Sequence, residues 1–210
     1  NVASSAYVGG AFGAHNALSL DGTQGIVSYT LRYDPIAAGD TSTSGFNGDG
    51  GKSGAGATLG TATEVILSAA PAEGVKITGG YGSASVKSSG NSGADAEQFV
   101  SSIKVTRGPV SVGVGLNTYD TGTHNTASQR QEMWGVAFNV NDNLSISYGQ
   151  QDIEYENVSS VHTTAEGKGF SASYTMGSAA LRYVHNEVDA VAGVAGTSSE
   201  YSEVSLNLSF

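Results

Sequence analysis

Few side chains in this sequence could perform chemistry, and their spacing argues against catalysis. The four histidines, His15, His124, His162 and His185, stand in separate segments without the spacing of a metal-ligand set. Serines are abundant, but none lies in a nucleophile elbow or an isolated Ser–His–Asp arrangement. The absence of cysteine excludes thiolate metal sites, cysteine nucleophiles and disulfide scaffolds. We therefore predict that the protein is not an enzyme and has no metal site.

Two segments mimic functional motifs. The stretch Gly45–Ser53 resembles a phosphate-binding loop, but its glycine spacing is one residue too long, and it lacks the strand before it and the helix after it that the motif needs. We interpret it as a loop with room for a loosely bound calcium ion, and we predict no other cofactor. Asp152, Glu154 and Glu156 share one face of a strand, and we interpret them as solvated charges near a rim.

Composition narrows the class of protein. The chain of 210 residues has 9 basic and 19 acidic side chains, a net charge of −10, which argues against nucleic acid as a partner. It contains 30 glycines, which disfavours helical bundles, and it has no apolar run long enough for a spanning helix. An all-β chain remains.

Strict alternation of apolar with small or polar residues runs through the sequence, which is the period of a β-strand with one apolar face. No convincing stretch has the period of a helix. The predicted strands are 24–34, 59–70, 74–88, 95–107, 109–120, 130–140, 143–157, 166–176, 178–190 and 199–210, with a weaker one at about 11–20.

The connections alternate between tight turns and longer Gly/Ser/Thr loops, which predicts an antiparallel up-and-down meander with two different ends. Transmembrane β-barrels have this asymmetry. A soluble β-sandwich also alternates, but its outer face should be rich in charged residues, and here the non-apolar face is mostly Ser, Gly, Thr and Asn. Tyrosines on the apolar face match an aromatic girdle; they are Tyr29, Tyr33, Tyr81, Tyr148, Tyr174 and Tyr183.

Three segments carry a resemblance to a known family. The terminus Val204–Phe210 alternates and stops on phenylalanine, like the last strand of bacterial outer-membrane proteins. The segments Met133–Gln150 and Ala172–Ala179 resemble hairpins of the alphaproteobacterial general porins, and their residues are most similar to those of porins from marine species. The similarity is good over 129–210 and weakens toward residue 1.

The resemblance implies a trimeric, sixteen-stranded barrel in the outer membrane of a Gram-negative bacterium. Counted back from Phe210, the ten clear strands would be the seventh to the sixteenth, which leaves the first strands missing from residues 1–210, a single barrel domain. Three explanations stay open: a fragment, which we favour; a second chain that supplies the rest; or a twelve-stranded barrel closed by a hairpin at Gly9-Gly10. The resemblance also implies that the final aromatic, Phe210, is read by the barrel-assembly machinery.

The predicted function is a water-filled channel for passive diffusion of small hydrophilic solutes and ions, with outer-membrane lipid around it. The alternative is a soluble or surface-anchored β-sheet module that binds through its Gly/Ser-rich loops. Charges opposite the apolar face are predicted to line the pore, because a charge facing lipid costs about 2–4 kcal/mol at the midplane. They are Arg32, Glu64, Lys76, Lys104, Arg182 and Glu203.

Net charge alone predicts an outer mouth that attracts cations and a channel that is mildly cation-selective at low salt. Many acidic residues fall at or near the long loops, where charges set the local counter-ion concentration within about 8 Å at physiological salt. They include Asp40, Asp49, Asp95, Glu97, Asp120 and Glu200.

Overall fold

The computed structural model describes residues 18–34, 58–87, 95–120, 128–156 and 162–208, and these form one antiparallel sheet of eleven strands. Each strand pairs with the next in sequence, so the predicted all-β, up-and-down arrangement is confirmed. A 3₁₀ turn over Val191–Gly193 precedes the last strand. The strands are β1 (Leu18–Gln24), β2 (Val27–Asp34), β3 (Thr58–Ala72), β4 (Val75–Lys87), β5 (Ala96–Arg107), β6 (Val110–Asp120), β7 (Ser128–Asn139), β8 (Leu144–Glu156), β9 (His162–Met176), β10 (Ala179–Asp189) and β11 (Ser198–Leu208).

Short turns join the strands at one end of the sheet, and the strand ends that are joined by longer stretches of sequence lie at the other end, the long-loop side. Gly25, Gly108 and Gly177 each open a two-residue turn with φ of 61°, 57° and 59°. A positive φ at this position is what a type II′ hairpin turn requires, and only glycine adopts it without steric cost. These glycines therefore fix where the chain reverses.

The first hairpin differs from the sequence prediction. The predicted strand 24–34 begins at Val27, and the weaker strand expected at about 11–20 is described from Leu18 to Gln24. The turn at Gly25 was not predicted, because one glycine carries little signal in a chain that has 30. The other predicted boundaries agree to within four residues, and the largest difference is the start of β9 at His162.

The two faces of the sheet differ as the alternation predicts. One face is apolar and exposed; Val112, Trp134, Val136 and Phe138 on β6 and β7 each expose between 37 and 46% of their surface. The opposite face carries Gly, Ser, Asn, Gln and the six predicted wall charges. A cavity lined by both Lys104 of β5 and Arg182 of β10 lies on this second face, so the sheet curves around it. The polar face is concave and the apolar face convex.

The register gives the tilt of the strands. Directly opposed residues, followed from Val27 at the start of β2, lead across eight strand pairs to Glu187 of β10, eight residues beyond Ala179 where β10 begins. From each strand to the next, the line of directly opposed residues therefore moves one residue farther from the short-turn end of the sheet. With a rise of about 3.3 Å per residue and about 4.8 Å between strands, this corresponds to a tilt of about 35°. Transmembrane barrels have tilts of about 35–45°.

Aromatic residues mark where the apolar band ends on the long-loop side. Closer to the long-loop side, the same convex face carries polar or charged residues. Glu97 lies there beyond Phe99 on β5, and Glu132 beyond Trp134 on β7. Two pairs along this line are in contact at ring-centroid distances of 5.6 Å and 6.4 Å: Trp134 with Tyr148, and Phe170 with Tyr183. The arrangement matches the aromatic girdle of outer-membrane barrels. Its members are Tyr33, Tyr81, Phe99, Trp134, Tyr148, Phe170 and Tyr183.

The buried core lies on the concave face, in the half nearer the long connections. It combines apolar residues such as Val100, Ile153 and Tyr155 with buried polar ones, of which Gln98 is 1% exposed. The half nearer the short turns is more open on this face and contains the cavity. The concave wall therefore has a filled half and an open half.

Candidate functional site

The six charges that sequence analysis predicted on the wall all lie on the concave face. Arg32 is directly opposite Glu64, and Lys76 is directly opposite Lys104, while Arg182 lines the cavity together with Lys104. Glu203 is opposite Val184, which lines the same cavity. The structure thus brings Lys76, Lys104 and Arg182 to the open half, whereas Arg32 and Glu64 lie in the filled half.

Arg32 and Glu64 form an ion pair between β2 and β3. The guanidinium Nη1 is 3.5 Å from the carboxylate Oε2, and the two side chains are 17% and 5% exposed. Because these charges are largely removed from water, each depends on its partner for stabilisation. Their charges offset each other in the filled half of the wall.

A ladder of amide side chains crosses the filled half from β5 to β8. Gln98 donates from Nε2 to Asn117 Oδ1 at 3.0 Å, Asn117 donates to Gln131 Oε1 at 3.5 Å, and Gln131 donates to Gln151 Oε1 at 2.8 Å. The alternation of the sequence did not predict this ladder. Its signal was a set of amides at alternate positions of successive strands, but their contact depends on the register of four strands.

The open half of the wall contains a trough of about 290 Å³. Its floor is a row of four directly opposed glycines, Gly113, Gly135, Gly149 and Gly169. The absence of side chains over four adjacent strands leaves space that any larger residue would fill. Asn186 lies over Gly169, where a Cβ atom would be 2.7 Å from its Oδ1.

Hydroxyl groups border the glycine floor on the side nearer the short turns. Ser147 Oγ and Ser171 Oγ are hydrogen-bonded at 2.8 Å, and Thr106 Oγ1 and Ser111 Oγ at 2.9 Å. Each pair uses one of its two hydroxyl protons, so the second remains available to donate to a solute. The trough therefore offers hydrogen-bond donors on an otherwise bare floor.

Cationic side chains flank the trough, and no carboxylate is among the described residues that line it. Lys104 lies at one side and Arg182 at the other, with Lys76 directly opposite Lys104 on the next strand. Glu203, one strand beyond Arg182, accepts a hydrogen bond from the Tyr201 hydroxyl. The trough is a polar site with a positive electrostatic environment.

Most of the acidic side chains that the structure describes lie on the convex face instead. On β5 to β11 they follow the aromatic girdle toward the long connections, where they alternate with only two bases, Arg130 and Lys168. Glu97, Asp120 and Glu200, which net charge predicted at the channel mouth, are on this face. The acids of the belt are Glu97, Asp120, Glu132, Asp152, Glu154, Glu166, Glu187, Asp189 and Glu200.

Several predicted features fall outside the described residues. These are Phe210, His15, His124, Asp40 and the loop Gly45–Ser53, interpreted above as having room for a loosely bound calcium ion. Across the described part of the chain, no three His, Asp or Glu side chains are grouped so that they could hold a metal ion. No helix in those same ranges has the length and apolarity to cross a membrane.

The fold is similar to solved outer-membrane channels. The anion-selective porin of Comamonas acidovorans has a TM-score of 0.67 at 14% identity, over 94% of this chain and 60% of that one. The outer membrane channel DcaP of Acinetobacter baumannii has a TM-score of 0.62 at 11% identity, over 90% and 60%. OmpT, an outer membrane protein of Vibrio cholerae, has a TM-score of 0.58 at 12% identity, over 90% and 61%.

These similarities establish the porin-like barrel fold and nothing narrower. The chain spans about three-fifths of the length of these structures. No protein-family model and no curated protein sequence matches the chain. The comparisons give no support to the attribution to marine alphaproteobacterial porins, which stays a prediction from the sequence segments.

Proposed function

We propose that the protein is an outer-membrane porin, a non-enzymatic channel for passive diffusion of small hydrophilic solutes and ions that needs no cofactor. The observation that carries the proposal is the pairing of a convex apolar band with a concave polar wall. The apolar band is displaced from strand to strand together with the short turns. It therefore lies parallel to the membrane plane when the strands tilt by about 35°. Such a band can contact the hydrocarbon core of a bilayer, while the polar wall on the opposite face of the sheet contacts water.

The fold-level likeness to a porin and to a channel supports the same proposal. We further propose the assembly that the sequence segments imply: a trimer in the outer membrane, surrounded by lipid and inserted by the barrel-assembly machinery through Phe210. The alternative, a soluble sheet that binds through its loops, would leave exposed apolar residues such as Val112 and Trp134 in water. A contiguous apolar face of this extent is unfavourable for a soluble monomer.

Conductance across a planar bilayer tests the proposal. Protein purified from outer membranes in detergent should insert and give stepwise ohmic currents that grow with salt concentration. Heat-unfolded protein from the same preparation is the control and should give no steps. Protein that extracts without detergent and leaves the bilayer silent would favour the soluble binding module.

A further inference from the structure

The charge that lines the trough is opposite in sign to the net charge of the chain. The sequence is acidic, but the belt of acids described above lies on the convex face, separated from the concave wall by the sheet. Lys104 and Arg182 line the trough, and no carboxylate does so among the described residues; the carboxylates Asp21, Asp142 and Glu203 lie elsewhere on the concave side. A solute in the trough therefore meets two cationic side chains and no carboxylate among the described residues.

The position of the two lysines is unfavourable unless an anion is nearby. Lys76 and Lys104 are directly opposite each other on β4 and β5, where side chains of like charge destabilise a sheet. Neither forms an ion pair with another described residue. An anion between or beside the two ammonium groups would offset their repulsion.

The trough beside Lys104 has the size and the donors for such an anion. Its volume of about 290 Å³ holds about ten water molecules at about 30 Å³ each, which is enough for a small hydrated ion. The ammonium of Lys104, the guanidinium of Arg182 and the hydroxyls along the floor are all hydrogen-bond donors. Lys104 and Arg182 lie on opposite sides of one glycine floor, so a solute crossing it passes between two cations.

We propose that this trough is an anion-selective site, in which Lys104 and Arg182 attract small hydrated anions such as chloride and inorganic phosphate. The inference rests on the proposed function, because it assigns a preference to the same channel. It is opposite in sign to the cation preference that net charge predicts. The physical reason is that a wall charge within a few ångströms of the solute acts more strongly than a larger number of charges behind the sheet, screened by ions and water.

Reversal potentials under a tenfold KCl gradient test the proposal with the purified intact protein. We expect chloride to be more permeant than potassium in the unmodified channel. Lys104→Gln and Arg182→Gln should each lower the chloride-to-potassium permeability ratio, and the double variant should lower it at least about twofold. Lys104→Arg keeps the charge and should keep the ratio. Inorganic phosphate at millimolar concentration should reduce chloride current in the unmodified channel and less so in the double variant.

Lys168→Gln and Arg130→Gln are the matched controls, since each removes one positive charge from the convex face. The double control should leave the permeability ratio unchanged. A cation preference in the unmodified channel would overturn the anion site while leaving the channel itself intact. An equal shift in the wall and control variants would also overturn it, because net charge would then suffice. Absence of any conductance would instead reject the proposed function, and the anion site with it.

Discussion

At the scale of single residues, the contribution of an ion pair to the free energy of unfolding depends more on its burial than on the distance between its charged atoms. Arg32 and Glu64 are 3.5 Å apart and largely buried on the concave wall. Arg130 and Glu132 are closer, at 2.6 Å, but their side chains are 55% and 60% exposed on the convex face. Exposed pairs contribute about 0–1 kcal/mol, whereas removing one partner of a buried pair costs about 3–5 kcal/mol because the other charge is left uncompensated.

Glu64→Gln should therefore lower the free energy of unfolding by about 3 kcal/mol, and Glu132→Gln by less than about 1 kcal/mol. Urea unfolding in lipid vesicles measures both. A double-mutant cycle with Arg32→Gln should give a larger coupling energy than one with Arg130→Gln. Equal coupling energies in the two cycles would mean that Arg32 and Glu64 are hydrated in the folded protein.

At the scale of one element, β7 carries both environments on alternate residues. Val136 lies on the convex face among apolar neighbours, and the adjacent Ala137 borders the trough on the concave face. The strand itself is the same for both positions, so a charge placed at each differs only in which side of the sheet it meets. This makes β7 a test of the whole sheet's orientation toward lipid and water.

Val136→Arg should destabilise the folded barrel in vesicles by about 2–4 kcal/mol, because its charge would face lipid. Ala137→Arg is the matched control and should cost less, because its charge would face the open trough. Unfolding in urea, followed by the mobility of folded and unfolded forms on a gel, gives both values. If Ala137→Arg proved the more disruptive of the two, the orientation assigned to the sheet would be reversed.

At the scale of the whole molecule, strand tilt separates residues that the register joins. Val112 of β6 and His185 of β10 lie on one line of directly opposed residues. Val112 and Leu181, in contrast, both lie two residues after the start of their strands. With a tilt of about 35°, four strands at about 4.8 Å displace the register line by about 11 Å along the membrane normal.

Depth measurements can test this displacement cleanly, because the chain has no cysteine to interfere with single-site labelling. A fluorescent label at Val112→Cys should be quenched by brominated lipids at the same depth as one at Leu181→Cys. A label at His185→Cys should lie about 11 Å nearer the long-loop surface. If the labels at Val112 and His185 were instead at equal depth, the strands would not be tilted and the barrel geometry would fail.

The sequence by itself determined the class of fold, the strands and the face on which each residue lies. A period of two forces alternate side chains to opposite faces, so Arg32, Lys104 and Arg182 could be placed on the polar face without coordinates. The first turn, at Gly25, was not predicted, because a glycine with a positive φ cannot be told from the many other glycines of the sequence.

Only the tertiary structure decided which residues of that face meet. The amide ladder from Gln98 to Gln151 and the trough between Lys104 and Arg182 depend on the register between neighbouring strands and on the curvature of the sheet. Register is set by turn geometry and by packing between strands far apart in the chain. Neither can be predicted from the alternation of residues within one strand. The same holds for electrostatics: composition indicates an acidic chain, but register and curvature bring Lys104 and Arg182 to one trough that no carboxylate lines among the described residues.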